Sequence, residues 1–321
     1  MSLASLAQPR SPAQPGPGPT PEALLRALDV TVGRRIRGLV PGEYRAHDLG
    51  GGTELAQVRP YEPGDDVRRI EWNVTARTGQ THVRVELAER VLVTWLVIDA
   101  SASMRFGTAD RRKADVAEGV GIAFGHVATQ RGNRLGLITF GGATDRRVPA
   151  TGGRQGLLAL LLAARNDDVP ADTPVRTADH PPAGVATRSP AAALRLVAAA
   201  APRGGLVGVV SDFRGPRDWS TALGAVATRH QVLAVEIRDP REDELADVGE
   251  LTLIDAETGR EVRVDTSSRT LRERFAQAAA DERSDLAREL RRLGVGHVVL
   301  STSGSWLRSL AAQLRTLGIA S

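Results

Sequence analysis

The stretch VTWLVIDASASMRFG, residues 93–107, carries a run of strand-forming hydrophobics onto an acid and two serines. With Val91 and Leu92 in front of it, the run VLVTWLVI is nearly continuous in apolar character, as a central strand covered on both faces requires. It stops on Asp99, and Ser101 and Ser103 follow, so three side-chain oxygens stand at i, i+2 and i+4. An aspartate in such a place alone reads as a strand end and helix cap. An acid and two alternating hydroxyls, set between a buried strand and a helix, read as a site.

Outward from this point the chain alternates strand and helix. RKADVAEGVGIAFGHVATQ (112–130) is the next helix, with Gly119, Gly121 and Gly125 allowing close packing inside it. Their spacing lies within the helix and not at a strand–helix turn, so it is no dinucleotide fingerprint. RLGLITFGG (134–142) is a strand, RQGLLALLLAAR (154–165) a helix, and 166–188 a Pro- and Asp-rich loop. PAAALRLVAAAA, GLVGVVSDF, DWSTALGAVATR and QVLAVEI continue the alternation. ELTLIDAETGREVRVD (250–265) reads as a hairpin inserted before a long charged helix, the strand VGHVVLS and a last amphipathic helix. This order predicts a mostly parallel sheet with helices on both faces, spanning residues 91–321.

Residues 21–90 have another character. PEALLRALDVTV has helical spacing, with Thr20 and Pro21 as cap and first turn. Gly- and charge-rich pieces follow, among them THVRVELA, which suits an antiparallel strand. Residues 1–20 are rich in Pro, Gly and small polar side chains and are expected to form a disordered arm.

With 321 residues, 41% hydrophobic and 25% charged, the chain has room for one large or two small cores. Cysteine is absent, which removes disulfides, thiolate catalysis and cysteine–metal centres and fits a reducing cytoplasm. No segment has the pattern of a signal peptide or the roughly 20 apolar residues of a membrane span, so a soluble protein without membrane insertion is expected. The net charge is only +4, Lys113 is the sole lysine, and arginines alternate with acids in DERSDLARELRRLG. GRRIRG (33–38) is the one small basic cluster, so nucleic-acid binding is a minor alternative.

Sites in open α/β sheets form outside the carboxyl ends of strands. Three polar clusters fall there: DASAS after the first strand, TRSP before the alanine-rich helix, and SDF closing GLVGVVSDF. The candidate ligands are Asp99, Ser101, Ser103 and Asp212, with Thr187 or Ser189 from the second cluster. Ser189 reads equally well as a cap before Pro190. Two acids and several hydroxyls form an oxygen-only set suited to a divalent cation, Mg²⁺ first and Mn²⁺ or Ca²⁺ next, and not to zinc. With two acids only, a coordination position remains for a partner's carboxylate.

DASASM resembles the DxSxS metal-ion-dependent adhesion site motif of von Willebrand factor A domains. That family adds a threonine and a second aspartate, and Asp212 matches the latter. GTELAQVRPYEPGDDVRRIEWNVTAR (52–77) resembles the signature of the bacterial domain-of-unknown-function 58 family, DUF58, through Arg59, Tyr61, Gly64, Asp65, Asp66, Arg68, Ile70, Trp72, Ala76 and Arg77. DPREDEL and IDAETGREVRVDT are similar to later segments of that family. The resemblance implies a von Willebrand A-like α/β fold. It also implies partners among MoxR-type AAA+ ATPases and other von Willebrand A proteins. In YEPGDDVRRIEW, Pro63 and Gly64 set a turn before a strand, Asp65 and Asp66 bond to backbone amides, Arg68, Arg69 and Arg77 pair with acids, and Trp72 anchors a core.

Enzyme readings find little support. GxxxxGK[ST], GxSxG and HExxH are missing, and the six histidines are scattered. A haloacid-dehalogenase-type phosphotransferase would place a second acid at Ala100 or Ser101. The expectation is a non-enzymatic, cytoplasmic protein-interaction module with a metal-borne adhesion site, acting with a MoxR-type ATPase in chaperone-like assembly. A metal-assisted hydrolase is the alternative.

Overall fold

The computed structural model describes residues 16–18, 49–87, 93–129, 133–142, 146–152, 189–201, 204–254 and 261–319. The expected helices at 21–32 and 154–165, the hairpin turn at Glu257–Gly259 and Thr187 lie outside these residues. Two compact units divide the chain, Arg37–Val91 and Leu92–Ser321 with Met1–Ile36.

In the larger unit, strands β3 (Val93–Asp99), β4 (Arg134–Phe140), β5 (Arg147–Gly152), β6 (Leu206–Ser211), β7 (Gln231–Arg238) and β10 (Gly296–Ser301) form one sheet. Its order is β10-β7-β6-β3-β4-β5, parallel except for the β4–β5 pair. The mostly parallel, helix-covered sheet is the α/β architecture expected from sequence, with the apolar run at its centre. Alternation along β3 explains why that run is continuous. Leu96 and Ile98 enter one core cluster and Trp95 and Val97 the other. The first cluster also holds Val116, Val120 and Phe124 of α2 (Lys113–Thr129) and Trp306, Leu310 and Leu314 of α6 (Trp306–Ile319). The second holds Leu194 and Val197 of α3 (Pro190–Ala200), Leu223 of α4 (Trp219–Ala227) and Leu290 of α5 (Arg269–Arg292). Each such side chain, fully buried, contributes about 1.5–3 kcal/mol.

Gly119 lets α2 approach α6, since a Cβ there would lie 2.3 Å from the Trp306 ring. β8 (Glu250–Ile254) and β9 (Glu261–Asp265) pair antiparallel as the expected hairpin.

The structure corrects the sequence reading in two places here. No strand was expected after RLGLITFGG, yet β5 pairs antiparallel with β4 at the sheet edge. Its half-exposed residues and Pro149 hide it from a hydrophobicity reading, and an edge strand tolerates both. Gly16–Gly18, expected in a disordered arm, lie against the larger unit. The Trp306 indole N–H donates to the Pro17 carbonyl at 2.8 Å, and the Arg111 guanidinium sits beside Gly18.

In the smaller unit β1 (Leu49–Pro60) pairs antiparallel with β2 (His82–Leu87). The segment between them departs from expectation. After the Pro63–Gly64 turn comes a 3₁₀ turn, Val67–Arg69, and then α1 (Trp72–Thr78), with no strand between. Asp66 redirects the chain by accepting the Arg68 N–H at 2.9 Å, a cap that starts helical winding. Asp65 accepts the Glu62 N–H at 2.8 Å, as expected of a turn acid. Its partner is Arg59, in a bidentate pair at 2.8 and 2.7 Å, and not Arg68, Arg69 or Arg77. Trp72 is 68% exposed, so it is no core anchor.

Candidate functional site

The chain runs from β3 to β4 and β5 on one side and returns through β6, β7 and β10 on the other. The strand order therefore reverses between β3 and β6, the place where open sheets form crevices at their carboxyl ends. Asp99 ends β3 and Asp212 follows β6, and the register Ile98↔Val210 brings them to one edge.

Asp99, Ser101, Ser103 and Asp212 belong to one hydrogen-bonded group. Asp99 Oδ1 accepts the Ser101 N–H at 2.9 Å, and Oδ2 accepts the Ser211 hydroxyl at 2.5 Å. Ser101 Oγ and Ser103 Oγ are 3.1 Å apart, and the Ser103 hydroxyl donates to Asp212. Asp212 Oδ1 accepts the Arg214 N–H at 3.1 Å. Its Oδ2 accepts from Lys113 Nζ at 2.6 Å, and the same ammonium reaches Glu242 Oε1 at 2.6 Å. Lys113, the first residue of α2, has no exposed surface.

The two acids differ in electrostatics. Burial pushes the Asp99 carboxyl up to about 6; the Ser101 and Ser211 hydroxyls oppose the rise and the charge of Asp212 adds to it. Burial would raise Asp212 as well, but the Lys113 charge and hydrogen bond outweigh it and hold that carboxyl below its usual value.

Asp99, Ser101, Ser103 and Ser211 line a cleft of about 1130 Å³, also lined by Ser189, Phe213 and Trp219, while Asp212 and Lys113 lie buried behind it. Arg105, Arg214 and Arg241 line it too, all three exposed. Phe213 has φ 53°, the left-handed region that non-glycine residues seldom enter. Its N–H donates to Ser211 Oγ at 2.9 Å, and its ring meets Trp219 edge-on at 5.5 Å. Gly141 closes in from the end of β4. With φ 77° it brings backbone to where a Cβ would stand 3.0 Å from Ser101 Cβ and 3.3 Å from Asp99 Oδ1.

Ser189 lies on the cleft wall but is engaged elsewhere. Its oxygen caps α3 by accepting the Ala192 N–H at 3.3 Å and donates to Asp218 at 3.2 Å. Sequence reasoning missed Lys113, Ser211, Gly141 and Glu242. The one sequence signal was the isolated lysine in a chain whose other strong bases are all arginine.

The donor set fits a hard divalent cation in part. Asp99 and the hydroxyls of Ser101 and Ser103 supply adjacent oxygens, and among the described residues no ion pair engages Asp99. Asp212 supplies the second acid while already bound to an ammonium.

Fold and site together define an open α/β domain with an oxygen-lined cleft at its strand ends. A family model described as "Protein of unknown function DUF58" matches residues 57–285, and the chain belongs to that family. "Uncharacterized protein Rv1480" of Mycobacterium tuberculosis is 41% identical over 290 residues, 90% of this chain and 87% of that one. "Uncharacterized protein MAV169" of Mycobacterium avium is 39% identical over 166 residues, 51% of this chain and 89% of its own length. Among solved structures, BatB of Bacteroides thetaiotaomicron aligns over 72% of this chain and all of its own, at 12% identity and TM-score 0.42. The SpRpn10 VWA domain aligns over 70% of this chain and 95% of its own, at 13% identity and TM-score 0.35. Among the described residues no helix is long and apolar enough to cross a membrane.

Proposed function

We propose that this protein is a non-enzymatic interaction module that takes an acidic side chain of a partner protein into the cleft at the carboxyl ends of β3 and β6. The supporting observation is the pairing of an oxygen-lined floor, Asp99, Ser101 and Ser103, with a rim of three exposed arginines, Arg105, Arg214 and Arg241. Guanidinium groups hold carboxylates through paired donors, and a rim of them also speeds encounter with an acidic surface. A divalent cation, Mg²⁺ before Mn²⁺ or Ca²⁺, would supply positive charge at the floor, with Asp99, Ser101, Ser103 and Asp212 holding it. Phe213 and Trp219 give the cleft an apolar wall, and Ser211 and the Arg214 N–H fix the carboxylates of Asp99 and Asp212. Family resemblance names the partner class as a MoxR-type AAA+ ATPase, with von Willebrand A proteins beside it. Assembly or maturation of other proteins in the cytoplasm is the corresponding role.

The test is recovery of a co-expressed MoxR-type ATPase on immobilised protein, with and without chelator. Asp99→Ala and an Arg105→Glu/Arg241→Glu double variant are compared with wild type. Loss of recovery in both variants and with chelator supports the reading. Equal recovery in every condition refutes it, and a metal-dependent hydrolysis rate lost in Asp99→Ala would make the protein an enzyme instead.

A further inference from the structure

Lys113 is the only lysine in the chain, and no part of it is exposed. Its ammonium sits between Asp212 Oδ2 and Glu242 Oε1, 2.6 Å from each, with the Phe106 ring centroid 5.9 Å away. A cation so deeply buried is tolerated only when paired, and here two carboxylates pair it. One of them is the second acid of the proposed cation site. The other, Glu242, lies in the 3₁₀ turn after β7 and also faces Arg214 Nε at 3.5 Å.

A hydrogen-bonded ammonium and a divalent ion compete for a carboxylate they share. Both carry positive charge, and around the buried Lys113–Asp212 pair their repulsion is only partly screened. An ion lying against Asp99, Ser101 and Ser103 would therefore meet an Asp212 whose charge is already balanced.

We propose that Lys113 is an internal competitor that keeps the divalent-cation affinity of this site low. The ammonium holds Asp212, so the ion and a partner's carboxylate bind together, the partner supplying the negative charge that Lys113 withholds. This rests on the cation-bearing reading of the cleft proposed above.

The test is calorimetric titration of metal-free, full-length protein with Mn²⁺. Wild type is compared with Lys113→Gln, whose amide can donate a hydrogen bond but carries no charge. The expected result is a wild-type Kd weaker than about 100 µM, the range of weak oxygen-ligand sites, and affinity at least about tenfold tighter in Lys113→Gln. Asp99→Ala in the Lys113→Gln background should remove the gain. A wild-type Kd below about 100 µM, or a folded Lys113→Gln protein no tighter than wild type, overturns the competition. If Lys113→Gln does not fold, Lys113→Met takes its place. If neither folds, the wild-type Kd decides. Mn²⁺ binding in none of the proteins overturns the cation-bearing reading as well, whereas tight wild-type binding overturns the competition alone.

Discussion

Asp99 and Asp239 are buried carboxylates in the same unit, and their surroundings drive them in opposite directions. Asp239 accepts the Thr108 N–H at 2.7 Å, the Thr108 hydroxyl at 2.5 Å, the Arg241 N–H at 2.9 Å and the Thr302 hydroxyl at 2.7 Å. Burial alone would raise its pKa, but these donors outweigh burial and hold it below the usual carboxylate range. Its contribution to stability is therefore present above its unfolded value near 3.8 and lost as pH falls through the lower folded one. Asp239→Ala should cost about 3 kcal/mol at pH 7 because it strands several donors. In urea melts the gap between variant and wild type should narrow below about pH 4. Asp99 has the reverse sign. Its folded value near 6 exceeds the unfolded 3.8, so its contribution is present below 3.8 and lost as pH rises through about 6. Asp99→Asn, neutral at all pH, should then stabilise metal-free protein at pH 7.5 by up to about 3 kcal/mol, with the gain shrinking toward pH 4. A gain independent of pH would contradict this account of Asp99.

At the scale of elements, the contact between α2 and α6 depends on a missing side chain. Alanine at Gly119 would add about 1 kcal/mol of helix propensity, yet its Cβ would overlap the Trp306 indole. Overpacking of this kind costs about 1–3 kcal/mol. Gly119→Ala should therefore lower the thermal midpoint, and a rise would show that Trp306 can move aside. Helical period and glycine placement made this element legible in the residues, as the apolar run made β3 legible. What was misread depends on single polar contacts. VRRIEW was read as a strand, whereas Asp66, accepting the Arg68 N–H, winds its start into the 3₁₀ turn Val67–Arg69. β5 has no hydrophobic signal because an edge strand buries little. DASAS was readable because its residues are contiguous. Lys113, 99 residues from Asp212 and 129 from Glu242, was not, because only the fold brings those residues together.

At the scale of the molecule, the described part of the expected arm, Gly16–Gly18, lies against the larger unit, which composition did not foretell. The Pro/Gly-rich sequence has no periodicity to pack, but one indole N–H finds the Pro17 carbonyl, a contact no local pattern announces. Removing residues 1–15 should leave the thermal midpoint unchanged. Removing 1–18 should cost about 1 kcal/mol, the value of one hydrogen bond at the buried Trp306. Equal midpoints for the two truncations would show that the Pro17 contact contributes nothing.

A chain whose single lysine is wholly enclosed also has a particular chemistry toward amine reagents. An acylating ester finds no lysine to modify while the fold is closed, and the 41 arginines do not compete for it. Each acylated Lys113 therefore records one opening of the first turn of α2, and the mass increment of the peptide that carries Lys113, followed over time, measures how often that buried ion pair comes apart.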